Sequence, residues 1–362
     1  MKKRRLSSLR RAVCLAVVLS ALGAGTAVAA PSARPTEVGS TAVGGSPEAV
    51  AVSPDGKQAF VMIDDSDKDG PTALVKVVDT GTGAIKATLP LPRSNALMAG
   101  QVAVGRDGKR AYALAGQTVT VIDAVADTVL RTFAVPDQPR PAGWAPGLLK
   151  SVAVSPDGAS LYVSQDGART YRQGGPSRVM VFAAATGAFT GSVDINNQYV
   201  NDVLVHPGGK DVYVSGGAGL VHLDVAATPP TVVRTVAQPP GESGTSGATI
   251  SADGSRIYDV VNNLGYVRVI STAGDGTLAT IAVVQGYADL RNPMLSHDGT
   301  KLYVVNDDIN GPSVAVADTA TRTLLDPFAD VEATDVRGAA ISADDSTLYL
   351  AGSGTLQFLT VR

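Results

Sequence analysis

Ala49-Val50-Ala51-Val52-Ser53-Pro54-Asp55-Gly56, followed after three residues by Phe60-Val61, decides the fold: two short runs of β-forming residues flank a four-residue turn. Proline presets φ for the first turn position, aspartate hydrogen-bonds the backbone just ahead of it, and glycine accepts positive φ, so Ser53-Pro54-Asp55-Gly56 reads as a hairpin turn. The turn recurs as Gly105-Arg106-Asp107-Gly108, Ser155-Pro156-Asp157-Gly158, His206-Pro207-Gly208-Gly209, Ser251-Ala252-Asp253-Gly254, Ser296-His297-Asp298-Gly299 and Ser342-Ala343-Asp344-Asp345. The seven copies are spaced by 52, 50, 51, 45, 45 and 46 residues.

Each turn is followed by a second strand such as Leu161-Tyr162-Val163, a third such as Val119-Thr120-Val121-Ile122-Asp123, and a fourth such as Val129 to Val135. Four short antiparallel strands per unit of this length describe a propeller blade. Such a unit is too small to bury a core alone, and a sandwich has no reason to repeat one turn in register seven times. The expected fold is therefore all-β: a seven-bladed β-propeller of four-stranded antiparallel blades. The seventh unit contains only three strands, Gly338 to Ser342, Thr347 to Gly352 and Leu356 to Val361, while Glu37 to Gly45 reads as a stray fourth strand ahead of the first unit. The N-terminal strand is thus expected to complete the last blade and leave the ring without an open edge.

The cadence V-A-V-S-P-D-G-x-x-x-Y-V, then V-x-V-I-D, resembles the YVTN or YncE-like family of β-propeller proteins, relatives of surface-layer-type and lactonase-like seven-bladed propellers. The resemblance covers roughly residues 36 to 362 and rests on turn and core residues, so it implies the fold and says little of function. The wider group implies exported proteins without assigned roles, suspected nucleic-acid or surface binders, and a few lyases and lactonases. The turns at His206 and Ser342 depart from the pattern, which opens the question of their geometry.

Met1 to Arg11 holds six basic residues and no acid, and the apolar run Ala12 to Ala29 ends on the small-x-small site Ala27-Val28-Ala29. This is the layout of a secretory signal peptide over residues 1–29, with cleavage after Ala29 and a single propeller domain over 30–362. Arg10-Arg11 leaves a twin-arginine route open beside the general one. Six of the 30 basic residues leave with the signal, so 24 face 33 acids in the 333 residues that remain, a net charge of −9 instead of −3. The lone cysteine, Cys14, leaves as well, so no disulfide is expected. One Cys and three His cannot furnish zinc ribbons, haem sites or type 1 copper centres. The acidic balance argues against a nucleic-acid partner, although Arg140, Arg169, Arg172 and Arg178 form a local basic cluster in sequence. No membrane span is expected after cleavage, and the protein is expected to be a secreted or extracytoplasmic monomer.

The seven repeated turns are tight, whereas the loops Asp64 to Thr72, Leu91 to Gly100, Pro136 to Leu148, Gln165 to Ser177, Gln238 to Gly244 and Asn306 to Pro312 all belong to the other face. Long loops on a rigid frame are where binding residues collect. Each innermost strand starts five residues before its turn, at Glu48, Gly100, Lys150, Asn201, Ser246, Arg291 and Arg337, a register expected to ring the channel mouth. Glu48, Lys150, Asn201, Arg291 and Arg337, with Trp144 and Tyr171 as stacking walls beside Tyr199 and Tyr287, are the candidate ligand-binding residues. The mixed charge suits a small anionic or zwitterionic ligand held by Lys150, Arg291 and Arg337. Asp65-Ser66-Asp67-Lys68-Asp69-Gly70 matches the core of a calcium loop, so calcium is the candidate ion at Asp65, Asp67 and Asp69; no other cofactor is required. The twelfth position is Lys76 instead of the bidentate Glu of an EF-hand, which leaves a solvated acidic hairpin as the alternative.

Catalytic groups are sparse. His206 and His297 fall in turns on the opposite face, and His222 lies in a third strand, so no Ser-His-Asp triad or metal cluster assembles. Gly216-Gly217-Ala218-Gly219 falls between strands, a hairpin and not a phosphate cradle. The first expectation is a non-catalytic exported binding or scaffold propeller, recognising a small ligand, an envelope polymer or a protein. The alternatives are a metal-dependent lactonase- or lyase-like enzyme using Glu48 and Asn201 as oxygen ligands, and single-stranded DNA binding.

Overall fold

Each repeated turn satisfies its own polar groups. In the first, Ser53 Oγ donates to Asp55 Oδ1 at 2.6 Å and accepts from the Gln58 amide, while Gly56, at φ 72°, returns its amide to the Ser53 carbonyl. The same Ser–Asp clasp closes the turns at Ser155, Ser251, Ser296 and Ser342. Hydrogen bonds to the carboxylate hold these aspartates below their ordinary pKa, Asp253 and Asp344 down to about 2. The two departing turns keep the geometry. His206 Nδ1 accepts the Gly208 amide at 2.9 Å in place of the serine–aspartate clasp. Asp345 adopts φ 58° where the other turns have glycine, and its carboxylate accepts from the His297 amide and bonds the His297 ring, linking two neighbouring turns.

The computed structural model describes residues 34–361, apart from 66–71, 93–98, 198, 239–243, 262–263, 285–287, 309–310 and 333. Within these residues, 28 strands, numbered β1 to β28 in chain order, form seven four-stranded antiparallel sheets, each a blade. Blade one comprises β2 (Ser46–Val52), β3 (Gln58–Asp64), β4 (Ala73–Asp79) and β5 (Ile85–Pro90) from the channel outward. Blades two to six repeat the order, with innermost strands β6 (Ala99–Val104), β10 (Leu149–Val154), β14 (Val200–Val205), β18 (Thr245–Ile250) and β22 (Leu290–Leu295). Blade seven has the order β1-β28-β27-β26: β26 (Val336–Ile341) is innermost, β27 (Thr347–Gly352) and β28 (Thr355–Thr360) follow, and β1 (Thr36–Ala42) is the outer strand. The protein is a seven-bladed β-propeller closed by its N-terminal strand.

The closure is chemically complete. β1 runs antiparallel to β28 from Thr36 opposite Thr360 to Ala42 opposite Thr355, and the Val43 and Gly44 amides both donate to the Gly354 carbonyl at 2.8 Å. Lys76 Nζ donates to the Val43 carbonyl at 2.5 Å, tying the entering chain to blade one. Nearer the axis β26 packs beside β2, and a Cβ on Gly338 would lie 2.6 Å from Ala49 Cα. Glycine is required there by backbone proximity.

Burial follows strand position. The second and third strands are apolar on both faces because each blade is sandwiched between two others: Phe60, Met62, Val75 and Val77 of blade one share a core with Val102, Ala111, Ala113 and Ile122 of blade two. The outer strands are wet, as in β9 (Thr128–Ala134) and β17 (Thr231–Ala237). Burial of apolar area at about 25 cal/mol/Å² therefore acts between blades more than within them.

Two polar stitches cross the same seams. In blade five, Asp259 of β19 (Arg256–Val261) and Arg268 of β20 (Tyr266–Ser271) face each other across the ladder, both buried. Arg268 Nε donates to Asp259 Oδ2 at 3.0 Å, and its Nη1 reaches the Ala237 carbonyl of β17 in blade four at 3.1 Å. On the seam between blades four and five, His222 bonds Asp211 at 2.9 Å and Asp275 at 2.9 Å and stacks on Tyr213 with ring centroids 4.5 Å apart. Burial alone would depress the imidazole pKa, but the two carboxylates hold it above its ordinary 6.5. A group with a raised folded pKa contributes stability below its unfolded value and loses it as pH rises through the folded value. Melting temperature is accordingly expected to fall as pH rises above about 6.5, with a shallower decline in a His222→Gln variant; parallel curves would disprove the linkage.

Candidate functional site

Alternation along an innermost strand allows only every second side chain to face the channel. The register of all seven innermost strands breaks near the mouth: at Pro47/Ala49, Ala99/Val102, Leu149/Val152, Val200/Val203, Thr245/Gly247, Arg291/Met294 and Val336/Gly338. A bulge lets two consecutive residues share a face. Glu48, Gly100, Lys150, Asn201, Ser246, Arg291 and Arg337 accordingly line one cavity of about 600 Å³, and residues next to them in sequence, Gln101, Asp202 and Asn292, line it as well.

This second tier was not visible in the sequence, because strict alternation turns those positions away from the channel. It forms a belt across four blades. Ser151 Oγ donates to Gln101 Oε1 at 2.8 Å, Gln101 Nε2 donates to Asp202 Oδ1 at 2.8 Å, and the Ala248 amide donates to Asp202 Oδ2 at 3.0 Å. Burial raises the Asp202 pKa, against these hydrogen bonds and the charge of Lys150. Asn201 donates to the Thr245 carbonyl and Ser246 to the Leu290 carbonyl, so both link one innermost strand to the next.

Four carboxylates, Glu48, Asp202, Asp289 and Asp335, and three cations line the cavity. Arg337 bonds Glu48 at 2.7 Å and Asp335 at 2.8 Å; Arg291 bonds Asp289 and lies 3.7 Å from Asp307. Burial raises the pKa of Glu48, with Arg337 opposing. Among the described residues Lys150 is the mouth cation that has no carboxylate in ion-pair contact. Of the three cations proposed from sequence to hold an anion, two already hold carboxylates of the protein itself.

Two long loops flanking the first strands of blade three lie within the described residues. Residues 135–148 and 166–176 bridge to each other through Ala145 and Arg169, and Arg169 bridges back to Gly174 within the second loop. Gln138 Nε2 donates to the Asp166 carbonyl, and the Gly147 amide returns to Gln138 Oε1 at 2.9 Å. Gly147 is obligatory, since a Cβ there would sit 1.9 Å from the Asp166 carbonyl oxygen. Buried Arg178 donates to Gln165 at 2.7 Å and to the Pro136 carbonyl at 2.6 Å, and Arg140 bonds Asp137 and the Trp144 carbonyl. The sequence cluster of four arginines thus divides: Arg140 and Arg178 are loop scaffolding, and Arg169 and Arg172 are exposed. Trp144, Tyr171 and Tyr199 line a second hollow of about 740 Å³ with these two arginines; Tyr199 also borders the channel cavity.

Asp65 is exposed at a loop neck closed by its own amide donating to the Thr72 carbonyl at 2.8 Å. Asp67 and Asp69, the rest of the calcium proposal, and Tyr287 lie outside the described residues. Among the described residues no three His, Cys, Asp or Glu side chains converge as a metal site, and no helix is long and apolar enough to cross a membrane. Of the oxygen ligands named for the lactonase-like alternative, Glu48 is ion-paired to Arg337, and Asn201 uses its Nδ2 on the Thr245 carbonyl. No protein-family model matches the chain, and no curated protein matches it in sequence.

Proposed function

We propose that this propeller is an exported, non-catalytic binding protein of the YVTN or YncE-like type, and that its channel mouth takes a small zwitterionic ligand. The observation that carries the reading is the convergence of all seven strand starts on one polar cavity, with Lys150 and Asp202 as opposite charges not matched to each other by an ion pair. A ligand carboxylate finds the ammonium of Lys150, and a ligand ammonium finds carboxylates on the same wall. The belt through Ser151, Gln101 and Asp202 fixes the floor before binding, which lowers the ordering cost of association. The basic N-terminus and its apolar run support export through a signal cleaved after Ala29.

The test is a melting-temperature screen of the secreted chain against small zwitterions, anions and cations, with N-terminal sequencing to read the cleavage site. A zwitterion is expected to raise the melting temperature in the parent and not in Lys150→Met. A shift of equal size in the variant, or none with any compound, would overturn the mouth as the site.

A further inference from the structure

The hollow beside the channel mouth has a different chemistry. Tyr171 is 87% exposed, yet it lies on a loop braced by backbone bridges, and the Arg172 guanidinium stands 4.8 Å from its ring centroid. Arg169, Thr170 and Tyr171 line both the 740 Å³ hollow and an adjoining one of about 620 Å³. Two hollows sharing one aromatic ridge form a groove suited to consecutive units of a chain molecule. Trp144 and Tyr199 add further ring surface to the larger hollow. Among the described residues neither Arg169 nor Arg172 has a carboxylate in ion-pair contact, while Arg140 and Arg178 nearby are both consumed by the scaffold.

We propose that this shelf binds an acidic oligosaccharide bearing uronate groups. Aromatic faces pack against the C–H faces of pyranose rings, and guanidinium groups take a carboxylate through paired N–H donors. Openness favours a sugar as well: the hydroxyls of a bound chain stay solvated, so a shallow groove lined by Thr170 and two arginines need not desolvate them. Single-stranded nucleic acid shares the taste for aromatic and arginine groups. It is the rival occupant, and oligo(dT) in the experiment below reads it. The shelf extends the reading of the long-loop face as the binding face but uses residues separate from Lys150.

The experiment is calorimetry of the secreted chain with oligogalacturonate, with cellohexaose and oligo(dT) as controls at one salt concentration. Binding is expected for oligogalacturonate alone, with a loss of about tenfold or more in Tyr171→Ala, whose exposed ring makes unfolding no explanation. Arg169→Gln is expected to weaken the acidic sugar, and Lys150→Met to leave it unchanged. Absence of oligogalacturonate binding, equal binding of cellohexaose, binding of oligo(dT) in its place, or an unaltered affinity in Tyr171→Ala would each overturn the proposal. A zwitterion response at the mouth that persists in Tyr171→Ala separates the fate of the shelf from that of the channel site.

Discussion

A chain that starts at Ser46, lacking β1 and the Val43–Gly45 approach, is expected to melt about 10 °C or more below the parent, or to aggregate. Three losses act together. β28 becomes an open edge with its ladder unpaired from Thr355 to Thr360. The Gly354 carbonyl loses two donors, and Lys76 loses the Val43 carbonyl that it caps. Val43, fully buried in the core shared by blades one and seven, is also removed. Differential scanning calorimetry on the two purified chains reads the difference directly. Equal melting temperatures would mean that the ring closes by the contact of β26 with β2 alone.

Replacing Arg268 by Met is expected to cost about 3–5 kcal/mol in urea unfolding, because it breaks a buried ion pair with Asp259 and takes a donor from the Ala237 carbonyl. The double variant Asp259→Leu/Arg268→Met is expected to recover most of that loss, since a buried ion pair replaced by apolar groups of similar size is often close to neutral. A single variant within about 1 kcal/mol of the parent would show that the pair does not hold blade five to blade four.

The frame was legible because it repeats. A turn that must use Ser, Pro, Asp and Gly for local reasons recurs at nearly constant spacing, and the missing strand of the seventh unit has its counterpart at residues 37–45. The ring of strand starts from Glu48 to Arg337 followed from the same register. What repetition hid was the second tier: Gln101 and Asp202 occupy positions that are alanine or glycine in other blades, at Ala49, Gly247 and Gly338. Only the bulges bring them into the channel. The role of the arginines was hidden for a different reason. Arg178 and Arg172 have the same composition, but one is buried under a loop that it stitches and the other lies over an exposed tyrosine, a distinction made by tertiary contacts.

A left-handed backbone costs an ordinary residue about 1–2 kcal/mol that glycine avoids, so six of the seven turns follow the cheaper rule and one does not. That one, at Asp345, holds His297 of the preceding blade at the junction of blades six and seven. A repeat protein grown by copying starts with interchangeable units; a side chain that only makes sense against one particular neighbour gives blades six and seven a fixed order. Blades four and five are matched in the same way by His222 and Asp275, so a further unit inserted at either junction would orphan a side chain. Contacts of this kind tie a blade to its place in the ring, so the copies are no longer interchangeable.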